Sequence, residues 1–170
     1  ASGRQDPSAE LLLNGGGLAE FQKLRDEGKV RFLGFTTEGP SAGVEALIAT
    51  GEFDTMQVRY NLMYQHPSDW HNNTGVIRQA EDQGVGIILM RPLTSGVFQR
   101  LMAEAFPEID AVASDGWVGR LLLNYVLSDP YVDVALVGMR EARFVELNNE
   151  ISDDVASRID LAKLHDRYVR

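Results

Sequence analysis

Residues 85–96 read VGIILMRPLTSG: six apolar or glycine positions in a row, then Arg91, then a proline opening a small hydroxyl-and-glycine turn. A run this short and this continuous, bounded by such a break, predicts a strand of a buried parallel sheet. Three other stretches share the design: RFLGFTT (31–37), TMQVRYN (55–61) and VDVALVGMR (132–140). Segments of helical periodicity separate them, so the chain reads as four parallel βα units of an α/β protein. In such folds ligands bind at the carboxyl ends of the strands, where these polar clusters fall.

Working outward from strand three (Val85–Met90), the spacing predicts strands at Val30–Phe35, at about 54–60 and at Val132–Val137. Leu18, Phe21 and Leu24 fall at helical spacing, as do Val44, Leu47 and Ile48 behind a Ser41 cap. Thr74 opens a third helix carrying Val76, Ile77 and Ala80; one short helical piece and then a loop follow in 97–113. Ser114 begins the most apolar helix, WVGRLLLNYVL, and Glu141–Asn149 makes another. Ser152 or Asp153 caps a last amphipathic one with Val155, Ile159, Leu161 and Leu164. The whole of 1–170 reads as a single domain: an N-terminal loop over 1–17, βα units over 18–150 and a C-terminal helix over 151–170. Gly28, Gly51 and Gly84 each stand between a helix and a strand, the short αβ loop of a βαβ chain. Two closures fit this rhythm, a doubly wound open sheet or part of an eight-stranded barrel. A complete barrel takes ~250 residues, and this chain supplies about half.

Composition narrows the function. The net charge of −9 over 170 residues argues against a nucleic-acid binder, which needs a basic patch. The absence of cysteine removes disulfides and thiolate chemistry and fits a reducing, cytoplasmic setting. No apolar run approaches the ~20 residues of a membrane span. The polar start ASGRQDPSAE shows no signal peptide and no initiator methionine, so a processed or truncated chain is expected.

Several polar groups at the predicted strand ends are candidates for binding, and each has a plainer structural role beside it. Gln57, within an apolar strand, needs partners for its amide: a ligand amide or a neighbouring strand. The Thr36 and Thr37 hydroxyls suit a ligand or an ST-turn. Arg91 suits a phosphate or an ion pair. The turn Pro92–Gly96 offers backbone N–H groups to an anion. Arg140 and Arg143, near a helix start, suit a phosphate monoester, or Arg143 pairs with Glu146. His66 and His71 share a loop with Asp69 but lack the third ligand a metal needs. Only three lysines occur (Lys23, Lys29, Lys163), and no Asp, Glu or His is expected at the carboxyl ends as a general acid or base.

Taken together, GKVRFLGFTT, MQVRYNLM, GVGIILMRPLTSGV and VALVGMREARFVELNNE resemble, in order, the fifth to eighth strands of the aldo-keto reductase family. The similarity covers about 16–150. It implies a TIM-barrel (β/α)8 fold of which this chain is roughly the C-terminal half, binding NADP(H) and reducing a small-molecule aldehyde or ketone. Thr36, Thr37 and Gln57 would hold the nicotinamide carboxamide, with Met90 where an aromatic ring usually stacks. Arg91, Leu93, Ser95 and Gly96 would line the pyrophosphate. Met139, Arg140 and Arg143 would meet the 2′-phosphate, with Glu146 and Asn148 near the adenine.

The sequence departs from the family pattern at Thr36-Thr37, where Ser-Asn is usual, at Met90, and at Gly138-Met139-Arg140. The family's catalytic Asp, Tyr, Lys and His belong to strands two to four, so no catalytic residue is assigned here. The resemblance therefore implies an oxidoreductase only as part of a complete reductase, joined by self-association or by an N-terminal half. The alternatives are a non-catalytic half-barrel binding or interaction module, or an open flavodoxin-like sheet holding another phosphate ligand.

Overall fold

Gly28, Gly51 and Gly84 adopt φ of 71°, 67° and 72°, the left-handed turn that ends a helix and releases the chain into the next strand. This structure, a computed structural model, describes residues 7–107 and 116–168. Its strands are β1 (Gly34–Thr37), β2 (Thr55–Arg59), β3 (Gly86–Met90) and β4 (Val134–Ala135), all parallel, in the spatial order β1-β2-β3-β4. The helices are α1 (Pro7–Asn14), α2 (Gly17–Asp26), α3 (Ala42–Ala49), α4 (Val76–Asp82), α5 (Val97–Ala105), α6 (Trp117–Leu127), α7 (Ala142–Asp153) and α8 (Leu161–Tyr168).

Successive strand residues point to opposite faces, and here the two faces differ. Met56, Val58, Ile87 and Leu89 are fully buried against Val44 and Ile48 of α3, Val76, Ile77 and Ala80 of α4, and Tyr125 and Val126 of α6. Burying each such side chain contributes roughly 1.5–3 kcal/mol, so this face holds the fold together. On the other face the register sets Thr36, Gln57, Ile88 and Val134 in one row. Gln57, Arg59, Ile88 and Met90 there are half-buried, whereas Val134 is 46% exposed. The apolar run of strand three predicts burial on both faces; among the described residues only one face is covered. Strands β1 and β4 are the sheet's two edges.

Four boundaries differ from expectation, the first being strand four, which is Val134–Ala135 rather than Val132–Val137 because only those two residues pair with β3. The 1–17 loop contains α1, because Ala9, Leu12 and Leu13 recur at helical spacing and pack with Leu33, Leu47 and Phe53; residues 1–6 lie outside the described residues. The C-terminal helix over 151–170 is divided. Residues 151–153 finish α7, the Asp154 side chain caps a 3-10 turn at Val155–Ser157, and α8 follows from Leu161, where Asp160 Oδ1 accepts the Lys163 N–H at 2.9 Å. Arg158 ties the break down, donating to the Ile151 and Ser152 carbonyls that end α7. Strand one lies at 34–37 rather than 30–35, paired with β2 from Thr55 onward. The expected helix start at Ser114 lies outside the described residues; α6 is described from Trp117.

At the amino ends of the strands two aspartates repeat one device. Asp54 Oδ2 accepts the Leu33 N–H at 2.7 Å, and Asp133 Oδ2 accepts the Ile87 N–H at 2.7 Å. Each carboxylate sits before one strand and holds the backbone of its neighbour, a charge-assisted bond that fixes register.

Candidate functional site at the carboxyl ends of the strands

Beyond β2 the chain turns back on itself at Asn61, 4% exposed. Asn61 Oδ1 accepts the Met63 and Tyr64 N–H groups, both at 3.0 Å, and Asn61 pairs its backbone with Tyr64. Its Nδ2 donates to the Arg91 carbonyl at 3.0 Å, so one side chain ties the turn after β2 to the turn after β3. That second turn is strained. Arg91, Thr94 and Ser95 have φ of 59°, 54° and 53°, a left-handed conformation costly for side chains with a Cβ and most of all for a β-branched threonine. Thr94 Oγ1 offsets part of that cost by accepting the Phe98 N–H at 3.0 Å, one of the free donors in the first turn of α5.

Three charged groups from three strand ends then meet. Glu38, the residue after β1, places Oε1 2.9 Å from Arg91 Nη2 and Oε2 3.3 Å from Arg59 Nη1. Arg59 also lies over the Tyr64 ring, 3.8 Å from its centroid, a close cation–π contact. Tyr64 in turn lies close against Gly39, where a Cβ would collide with the tyrosine hydroxyl. A cleft of about 330 Å³ opens here, lined by Arg59, Asn61, Tyr64, Arg91, Thr94 and Ser95 among others. A second cleft of about 630 Å³ lies beside β1, between Thr36, Thr37 and Tyr64 on one side and Ala9, Leu12 and Phe21 on the other.

The expected site residues fall in two places. Thr36, Gln57, Met90 and Arg91 lie on or beside the open face, with Gln57 Nε2 3.7 Å from Met90 Sδ. A thioether is a weak acceptor. Thr37 stands apart: its side chain is on the covered face, and its hydroxyl bonds Gly39 O at 2.8 Å in an ST-turn. Leu93, Ser95 and Gly96 form the turn before α5. Met139, Arg140, Arg143, Glu146 and Asn148 lie elsewhere, leading into and along α7, with Met139 and Asn148 in a separate cleft of about 330 Å³ against α6 and β4. Arg143 pairs with Glu141, at 2.9 Å and 3.3 Å, rather than with Glu146.

Glu38, Arg59, Asn61 and Tyr64 are not among the residues the sequence pattern singles out. Glu38 is a carboxylate at the carboxyl end of a strand, where none was expected. Arg59 had a legible signal, since it is two residues from Gln57 and must share its face. Among the described residues no group of three or more His, Cys, Asp and Glu could hold a metal ion. His165 instead bonds Gln65 Oε1 at 3.0 Å and the Leu161 carbonyl at 2.7 Å, an anchor for α8. Among the described residues no helix is long and apolar enough to cross a membrane.

In comparison with known proteins, the model described as Aldo/keto reductase family matches residues 16–165. No curated protein matches the chain.

Proposed function

The chain belongs to the aldo/keto reductase family, whose fold is the TIM barrel and whose activity is of oxidoreductase type, and from that premise we propose that it is the cofactor-holding half of such a barrel, strands five to eight. The open face supports this reading. Four parallel strands cover one side with helices and leave the other lined by Gln57, Ile88 and Met90, the side that a closed barrel would turn inward. Two unpaired edges call for further strands, from a second copy or from an N-terminal half.

The observation that carries the cofactor assignment is Gln57. Its amide lies half-buried on that face, in register with Thr36, and its one hydrogen-bond partner among the described residues is a sulfur. A half-buried amide with so weak a partner fits the carboxamide of a nicotinamide. Leu93, Ser95 and Gly96, with the turn that Arg91 opens, suit the pyrophosphate. Arg140 and Arg143 precede or begin the 12-residue helix α7, where its dipole favours a phosphate monoester. Met139 takes part there, and Glu146 and Asn148 suit the adenine. Thr37, with its hydroxyl engaged by Gly39, contributes through the loop it shapes.

Bound in this way, NADP(H) supplies the hydride for reduction of an aldehyde or ketone. The chain's own residues orient the nicotinamide and neutralise its phosphates. The proton donor belongs to strands two to four of the complete barrel. Lys23, Lys29 and Lys163 all lie outside the sheet, and Tyr60, buried on the covered face, has its ionisation pushed up chiefly by burial and then by Tyr125.

Titration with NADPH, followed by nicotinamide fluorescence, tests the reading. Wild-type chain is expected to bind, Arg143→Ala to bind about 10-fold more weakly, and NADH to be insensitive to that change, as loss of a charge-assisted phosphate contact implies. No binding by the wild type removes the cofactor assignment. A non-catalytic binding module is the second reading, favoured by the lack of a lysine on the described open face. Turnover of a test aldehyde by verified 18.8 kDa material would defeat both it and the placement of the proton donor elsewhere.

A further inference from the structure

We propose that Arg59 and Arg91 form an anion site at the mouth of the barrel, that the Glu38 carboxylate is its resident occupant, and that the site selects carbonyl substrates bearing an anionic oxyacid group. The inference rests on the barrel reading above, because that reading puts Gln57 and hence the nicotinamide one layer below Arg59 on the same face.

The chain itself shows what the site accepts. One carboxylate, that of Glu38, spans both guanidinium groups, one oxygen to each. In a protein of net charge −9 the meeting of two arginines at one point calls for a cause. Local preference supplies none. Arg91 reaches the mouth from a left-handed backbone, a conformation that persists only where its surroundings hold it. Its surroundings do: Asn61 and Thr94 both bond the Arg91 carbonyl. Arg59 lies over the Tyr64 ring, which holds its guanidinium at the cleft, and its Nε is buried without a hydrogen-bond partner among the described residues.

Glu38 is a weak occupant by comparison. Its side chain is 56% exposed and the Arg91 side chain 49%, and pairs so open to water hold each other loosely. A ligand carboxylate or phosphate can therefore exchange for it without a large loss. An entering oxyacid group would take the place of the Glu38 carboxylate, meeting Arg59 Nη1 and Arg91 Nη2, with the Arg59 guanidinium held by Tyr64. Substrates with a neutral substituent have nothing to offer in return for displacing Glu38. The chain thus discriminates by charge.

The test uses the 170-residue chain with malonate as carboxylate probe, inorganic phosphate as phosphate probe and malonamide as neutral control, read by calorimetry and by the arginine Nε–Hε resonances. The expected result is that malonate or phosphate binds and shifts the Arg59 and Arg91 signals while malonamide does neither; the tighter of the two identifies the oxyacid. Glu38→Gln removes the resident carboxylate and is expected to tighten binding about 10-fold, and Arg59→Gln and Arg91→Gln each to weaken it about 10-fold. If neither probe binds even Glu38→Gln, while NADPH binds, the inference fails and the family reading stands. Anion binding with no NADPH binding leaves the site and removes the cofactor. If NADPH competes the probes away, the two arginines serve the cofactor's phosphates and the substrate assignment is overturned. Because both arginines lie at the rim, unchanged unfolding midpoints serve as the folding control.

Discussion

Carboxylates sit at both ends of this sheet and do different things. At the amino end Asp54 and Asp133 each accept one backbone N–H at 2.7 Å, that of Leu33 just before β1 and that of Ile87 in β3. At the carboxyl end Glu38 accepts from two side chains, beside a turn where Arg91, Thr94 and Ser95 are all left-handed. The first arrangement uses charge to fix register; the second places charge where a ligand can replace it. The lesson is that the partner, not the carboxylate, distinguishes a structural end from a binding end. A backbone N–H has no alternative use, whereas a guanidinium at a rim does.

Substitutions at the two ends should separate these roles. The largest effect is expected at the amino end: Asp54→Ala and Asp133→Ala should each lower stability by about 1.5–3 kcal/mol, the range for a hydrogen bond to a charged group. Urea unfolding with unchanged m-value would report it, and anion affinity should not move. A loss below about 0.5 kcal/mol at both positions would break the contrast. Next, Gly39→Ala should displace the Tyr64 ring and free Arg59, weakening anion binding several-fold at a stability cost of about 1 kcal/mol, a typical single-site effect. Glu38→Gln should change stability by no more than about 0.5 kcal/mol, as an exposed pair does. If it destabilises as Asp54→Ala does, Glu38 is a structural residue after all. The smallest effect belongs to Ser95→Gly, which relieves a left-handed residue and should raise stability by on the order of 0.5 kcal/mol. Thermal unfolding would detect it, and a decrease would show that the serine side chain, not its backbone, matters in the turn.

Much of the fold is legible in the amino-acid sequence. The runs at 31–37, 55–61 and 85–96 each contain a strand, ending at Thr37, Arg59 and Met90, and the glycines at 28, 51 and 84 terminate helices as their positions imply. Helices α3, α4 and α6 bury the residues their periodicity selects. The exceptions have local causes. Helix α1 hides behind Asn14–Gly17, whose glycines are the mark of a loop. The last helix divides because the Asp154 and Asp160 side chains each cap a new start. Of the candidate site, Gln57, Met90 and Arg91 are brought together, while Thr37 turns to its own loop and Arg143 to Glu141.

By itself the sequence determined the order of βα units, the apolar core of each strand and the glycines between them. Those features depend on side-chain period and backbone freedom within a few residues, which a linear string records in full. Tertiary structure alone decided which face of the sheet stays open, and that Glu38, Arg59 and Arg91 share one point. Glu38 and Arg91 are 53 residues apart, on strands that do not touch each other. Only the parallel register across β2 sets their ends at one level, and no pattern along the chain encodes it.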